Sequence, residues 1–273
     1  MSDQADALRG MAANARARGR SLPDRPDDGG AGRGTEAIVL GSGKGGVGKS
    51  VLSVLLANAL ARAGRRVLLL DGSQNQGNLH VLLGVHPSRR LSALLAGEVT
   101  PRDLLVQLDE RLWLLPSDSG AENVHALTAV DRARLHHRLT VLYDEFDSVI
   151  VDSGPGIESV VRVAGLRAAR LVVVAVPEPA SLSDAYALIK IVHGQLPGLP
   201  VDVLVNRADE DESLDTFARL ELAAGRFLGR SLGHLGHFPE DEGLRAATRG
   251  TGTLLRHLPA AADRLAARLL ARA

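Results

Sequence analysis

The sequence predicts an α/β domain with a mostly parallel sheet flanked by helices. Continuous apolar runs recur along the chain, helix-length segments separate them, and one glycine-rich stretch stands directly between such a run and such a segment. Apolar runs without polar alternation are how strands buried on both faces read. Strands that alternate with helices form parallel sheets through right-handed crossovers.

Composition bounds the function. The chain has 273 residues, 32 basic against 32 acidic side chains, and no cysteine. Without cysteine there is no disulfide framework, thiolate zinc site or cysteine-held iron–sulfur cluster, which accords with a reducing cytoplasm. The opening MSDQADALRG has no basic start followed by an apolar run. Nor do ~18 apolar residues run unbroken anywhere, so neither a secretory signal nor a spanning helix is expected. Net neutrality gives no global pull toward nucleic acid, and aromatic residues at 3% leave no base-stacking platform, so no specific nucleic-acid partner is expected.

Taken in order, residues 1–9 form a short element in which Ser2 can cap a helical turn carrying Ala5 and Leu8. Residues 10–34, GMAANARARGRSLPDRPDDGGAGRG, are Ala, Arg, Gly, Asp and Pro with hardly a large apolar side chain, the composition of a disordered linker. A ragged terminus without function is the competing reading of both. Residues 35–273 read as one compact domain. Its strands are EAIVLGS, RVLLLDGS, RLWLLP, SVIVDSG, RLVVVAVP, PVDVLVN and the weaker SLGHLGHFP. Its helices are VGKSVLSVLLANALARAG, Asp131 to Tyr143, Ile157 to Ala168, and SLSDAYALIKIVHGQL, which Ser181 or Ser183 can cap.

The first strand runs into Gly41-Ser42-Gly43-Lys44-Gly45-Gly46-Val47-Gly48-Lys49-Ser50, and Gly43 to Ser50 satisfies G-x-x-x-x-G-K-[ST] with a strand before and a helix after. Small residues let backbone N–H groups converge on phosphate oxygens, and the helix N-terminus adds partial positive charge. Lys49 then reaches the β/γ-phosphates of ATP and the Ser50 hydroxyl binds Mg²⁺. The same letters contain G-x-G-x-x-G, but a dinucleotide site gives no reason for Lys49-Ser50. A triphosphate site also needs carboxylates at the ends of neighbouring strands to hold Mg²⁺ or its waters and to orient the attacking water. RVLLLD supplies Asp71 and SVIVD supplies Asp152, unless each is an ordinary turn aspartate.

With its extra lysine, Lys44, GKGGVGKS resembles the deviant phosphate loop of the MinD/ParA ATPases. The resemblance implies the SIMIBI type of P-loop NTPase fold, ATP/ADP and Mg²⁺ as ligands, and an ATP-dependent homodimer in which Lys44 reaches the partner's nucleotide. It makes LLLDGSQNQGNLHVLLG the first switch and VIVDSGPGI the second. The first departs from the family: relatives usually carry Asp-x-Asp, the second Asp helping to position water, and this chain reads Asp71-Gly72-Ser73. Serine cannot polarise water as a carboxylate does, so slow hydrolysis is expected, with Gln74 or Gln76 as substitute orienters.

VPEPASLSDAYALIK, Val176 to Lys190, is similar to a block of the FlhG (FleN/YlxH) regulators of flagellar number and placement. In that family the asparagine matching Asn206, followed here by Arg207, contacts adenine; a turn-favouring Asn after a strand is the alternative. The opening DQADALR, Asp3 to Arg9, resembles the DQA-x-x-LR element with which FlhG proteins stimulate FlhF, a signal-recognition-type GTPase. The resemblance makes Gln4 the residue acting in trans beside the partner's nucleotide. Flagellar C-ring proteins and a flagellar transcription regulator are further partners it implies.

Arg264, Arg268 and Arg272 recur at helical spacing beside Leu265 and Leu269, which suits either core packing or peripheral contact with an anionic membrane. His136, His137, His234 and His237 lack ligand spacing. The alternatives to a flagellar ATP switch are a ParA- or MinD-like positioning ATPase acting on DNA or division partners, and a hydrolysis-deficient scaffold.

Overall fold

The computed structural model describes residues 35, 37–73, 78–89, 91–117, 137–139, 141–154, 156–164, 168–249 and 254–272. The elements are β1 (Ala37–Gly41), α1 (Lys49–Arg62), β2 (Val67–Gly72), α2 (Leu79–Leu82), α3 (Leu91–Ala96), a 3₁₀ turn (Pro101–Leu104), β3 (Val106–Asp109) and β4 (Leu112–Leu115). They continue as β5 (Ser148–Ser153), α4 (Ile157–Ala164), β6 (Ala168–Ala175), α5 (Pro179–Gln195), β7 (Val201–Asn206), α6 (Glu210–Leu228), β8 (Gly233–Phe238), α7 (Glu242–Arg249) and α8 (Ala260–Leu270). Among the described residues, eight strands form one sheet in the order β3-β4-β2-β5-β1-β6-β7-β8, all parallel except β3 against β4.

Side chains alternate across a sheet, so an apolar run fills two cores at once. Val39, Val149, Val151, Leu171 and Val173 enter a core closed by α4, α5 and α6. Their neighbours Leu40, Ile150, Val172 and Val174 enter a second core with α1, α2 and α8. Helix α1 is buried from Leu52 to Ala61, which explains why its sequence is apolar all round rather than striped. The one tryptophan, Trp113 on β4, is 2% exposed and meets Phe146 edge-on at 5.7 Å.

The seven anticipated strands are present. The sequence reading missed β3, a short edge segment in which only Leu108 is buried, the short helices α2, α3 and α7, and α6, whose start is signalled by the reciprocal Asp209 and Glu212 cap. Three expectations need correction. The helix expected from Ile157 to Ala168 stops at Ala164, and Ala168 opens β6, because the sheet recruits Ala168 opposite Ala37. Neither Ser181 nor Ser183 caps α5: Glu178 is its N-cap and Pro179 its first residue, where a missing N–H costs nothing. Ser181 instead accepts the Val176 N–H at 3.0 Å, pinning the end of β6. The lipid-facing option for the C-terminal helix also falls. Ala261, Ala262, Leu265, Ala266 and Leu269 of α8 are buried against α1 and β8, and Arg268 donates to the Leu235 carbonyl.

Arg272 donates to Asp202 at 2.6 Å and to the His234 carbonyl at 2.7 Å, while Arg170 holds the other Asp202 oxygen at 2.8 Å. Asp202 is 1% exposed, so two guanidinium groups balance one buried carboxylate. His234 is a packing residue, bonded to Ser213 at 2.9 Å and stacked on Phe217. The expected N-terminal element, the linker at 10–34, residues 131–136 and Gln74 and Gln76 lie outside the described residues.

Candidate nucleotide site

Strand β1 lies between β5 and β6, so the loop leaving its carboxyl end opens where parallel sheets gather ligands. Gly48 ends that loop at φ +88°, in the left-handed region, and a side chain there would collide with the Asn206 amide. At Gly43 a Cβ would strike the Asp184 backbone of α5, so the front of the loop lies directly against the SLSDAYALIK helix. The Ser42 hydroxyl donates to the Lys44 carbonyl at 2.8 Å. Asn206 donates to the Val47 carbonyl at 2.7 Å, and Arg207 to that of Gly46 at 3.1 Å.

The loop walls a cavity of ≈ 320 Å³, lined by Gly45, Gly46, Val47, Gly48, Lys49 and Ser50 on one side and by Ser73, Asn78 and Asp152 on the other. Lys49 is 9% exposed. Its ammonium donates to Asp152 Oδ1 at 2.6 Å and to the Ser153 carbonyl. Ser53, one turn further along α1, donates to the same Asp152 oxygen at 3.1 Å. Lys44 points outward and meets Glu178 of the VPEP turn at 3.4 Å.

Asp71 and Asp152 pair in register on β2 and β5. Asp71 accepts the Ser73 N–H at 3.1 Å and the Leu79 N–H at 3.3 Å. Burial pushes its carboxyl above the usual range, the Asp152 charge adds to this, and hydrogen bonds from Ser73 and Leu79 oppose it. Ser73 reaches Asp71 through its backbone N–H, and its side chain stands on the cavity wall. Among the described residues no group of three or more His, Cys, Asp or Glu side chains could hold a metal by itself. Ser50, Asp152 and Asp71 are instead a sparse oxygen set of the kind that serves Mg²⁺ when phosphates complete its shell, and a cation would relieve the unfavourable ionisation of Asp71.

A second cavity, ≈ 110 Å³, shares Gly48 and Val51 with the first. Asn206, Arg207, Pro239, Asp241, Leu244 and Thr248 contribute to its wall.

Residues 35–195 match the family described as AAA domain. The chain is 38% identical over 216 residues to the antiactivator FleN of Pseudomonas aeruginosa, covering 78% of this chain and 77% of FleN. The chain belongs to the FleN branch of the MinD/ParA ATPases. A second relative of the branch, the flagellum site-determining protein YlxH of Helicobacter pylori, is 32% identical over 157 residues, 58% of this chain and 53% of YlxH. The cell-division ATPase MinD of Pyrococcus furiosus superposes with TM-score 0.71 at 26% identity, covering 88% of this chain and all of that one. MinD of Pyrococcus horikoshii, solved with Mg-ADP, shares the fold at TM-score 0.68 and 24% identity, over 86% of this chain and 96% of that one.

Within this FleN-branch chain the structure brings Gly43, Lys44, Gly45, Gly46, Val47, Gly48, Lys49, Ser50, Asp71, Asp152, Asn206 and Arg207 to one end of the sheet. Gly43, Lys44 and Asp71 stand outside both cavity walls, and Gln4 lies outside the described residues. Sequence reading missed Ser53, hidden in an apolar helix four residues after Lys49, and the Pro239-Glu240-Asp241 turn that follows the weakest strand.

Proposed function

We propose that the chain is an ATP-dependent switch that controls flagellar number and placement. The observation that carries this reading is Lys49 held on Asp152 at the wall of the phosphate-sized cavity. Triphosphate competes with Asp152 for the lysine and frees the carboxylate of the second switch. Bound Mg²⁺ would supply charge neutralisation on the phosphates, with Ser50, Asp152 and Asp71 as the residues to hold it or its waters. The consequence passes along β5 into α4, and through the loop contact at Asp184 into α5. Lys44, tethered only by an exposed contact to Glu178, is free to serve a second copy in an ATP-dependent homodimer.

Residues 1–9 act as the activating element for an FlhF-type GTPase with Gln4 in trans, residues 10–34 as its tether, and residues 35–273 as the ATPase domain. Flagellar C-ring proteins and a flagellar transcription regulator fit the same reading, which places the chain in the cytoplasm. Among the described residues no helix is long and apolar enough to cross a membrane. The test is GTP turnover by the cognate FlhF-type GTPase with the chain intact or lacking Met1 to Arg9. Stimulation that disappears with those residues supports the reading, and no stimulation by either form refutes the GTPase part of it. A second reading, a scaffold with little hydrolysis, is favoured by the neutral Ser73 on the cavity wall, where a hydroxyl cannot polarise water as a carboxylate does.

A further inference from the structure

Helix α1 is buried from Leu52 to Ala61, yet that apolar stretch carries two polar side chains, Ser53 and Asn58. Burying a polar group is costly unless it is hydrogen-bonded. The fold accounts for Asn58, whose amide donates to the Leu255 carbonyl at 3.0 Å and ties α1 to the turn Leu254–Arg256. Ser53 is 0% exposed, and its hydroxyl lies between two acceptors: the Lys49 carbonyl of its own helix at 3.0 Å and Asp152 Oδ1 at 3.1 Å. A hydroxyl has one proton and serves one of them at a time. With Lys49 in place little hangs on which. The Lys49 carbonyl already accepts the helical N–H four residues on, and Asp152 already has the ammonium at 2.6 Å.

Once a phosphate draws the ammonium off, the two acceptors are no longer alike. Asp152 is 2% exposed and faces Asp71 across the β2–β5 ladder, and among the described residues its side-chain donors are Lys49 and Ser53 alone. Without Lys49, the Ser53 hydroxyl is all that keeps a buried carboxylate hydrogen-bonded. Both donors fall on Oδ1, so holding that oxygen restrains the carboxylate and leaves Oδ2 for Mg²⁺ or one of its waters. We propose that Ser53 is a positioning residue of the second switch: when phosphate takes Lys49, the Ser53 proton turns from the Lys49 carbonyl to Asp152 Oδ1 and keeps the carboxylate docked on α1. This role rests on the displacement of Lys49 proposed above. The loop lysine thus has its successor one turn along the same helix. A serine that served only the carbonyl four residues back, as helical serines commonly do, would leave nucleotide affinity untouched.

The experiment uses the full chain. Calorimetry gives Kd for Mg-ADP and for the Mg complex of the β,γ-imido analogue of ATP, and urea denaturation gives stability without nucleotide. Ser53→Ala changes the nucleotide-free unfolding constant by about threefold or less, because Asp152 keeps Lys49, yet weakens both nucleotides about tenfold, the scale of one hydrogen bond to a charged group. Ser53→Thr keeps the hydroxyl and binds about as tightly as wild type. Lys49→Met imitates the departed ammonium without any nucleotide, and in that background Ser53→Ala raises the unfolding constant about tenfold. Should Lys49→Met not fold, the affinity ratio decides by itself. Equal losses of stability in the two backgrounds, or nucleotide bound as tightly by Ser53→Ala as by wild type, overturn the proposal. Wild-type protein that binds neither nucleotide sinks the phosphate-site reading with it, whereas undiminished binding by Ser53→Ala sinks the role of Ser53 alone.

Discussion

Breaking the Lys49–Asp152 pair in the nucleotide-free protein destabilises the fold far more than removing both charges together. The ammonium and carboxylate are 2.6 Å apart with side chains 9% and 3% exposed. At an effective dielectric of ~20 their attraction is about 6 kcal/mol, part of which offsets the cost of taking both from water. Lys49→Met leaves Asp152 buried with only the Ser53 hydroxyl, and with Asp71 opposite it in register. Asp152→Asn leaves the buried ammonium with neutral carbonyl acceptors only, that of Ser153 and the new amide oxygen, and without a counter-charge. Each single variant costs about 3–5 kcal/mol, whereas the double variant, which buries two neutral groups of similar size, costs less than either. For a domain of this size that is a fall in Tm of about 10 °C for each single variant. The assay is urea denaturation of the four proteins without nucleotide, combined as a double-mutant cycle. Additive single effects, or singles costing under about 1 kcal/mol, would show that the pair is not coupled and that phosphate displaces no buried partner of Lys49.

Ser73→Asp places a carboxylate on the cavity wall beside Asn78 and raises ATP turnover about a hundredfold, measured by phosphate release; turnover already brisk in the wild type and unmoved by the substitution would count against an orienting role for position 73. The Asp202 carboxylate, 1% exposed, joins Arg170 and Arg272, so Asp202→Ala strands two guanidinium groups and lowers stability by about 3–5 kcal/mol in urea, with the binding cavities at the opposite ends of the strands as an internal control. Burial depresses the His234 pKa, with Arg268, His237 and Arg272 adding repulsion. A histidine with a depressed folded pKa contributes stability above its unfolded value of ~6.5 that is lost as pH falls through the folded value, so His234→Gln flattens the acid side of the stability profile between about pH 7.5 and 5; an unchanged slope would assign the acid loss to other groups.

The sheet was legible because strands buried on both faces leave a plain trace, as in IVL, VLLL and VIV. The phosphate loop was legible because its chemistry fixes residue types at fixed spacing. What escaped was whatever depends on which side chain reaches which across the chain. Ser181 reads as a helix cap, yet its hydroxyl ties off β6, and Arg268 and Arg272 read as a basic stripe, yet both are consumed by β7 and β8. The Asp241–His257 pair joins residues 16 apart across α7, a separation that no local spacing marks. Asp71 and Asp152 were recognised as strand-end carboxylates, but only pairing in register makes them neighbours whose charges oppose one another.

Trp113 lies opposite Leu68 in the β2–β4 ladder, three residues before Asp71, inside a ring of apolar contacts with the Arg66 guanidinium 5.4 Å from its own ring. The molecule therefore carries its own fluorophore on the strand beside its first switch. Emission from so dry a site should be blue, and it should redden or quench as β2 shifts against β4. Nucleotide exchange can then be followed in real time on the unlabelled protein, without a dye that would itself perturb so tightly packed a sheet.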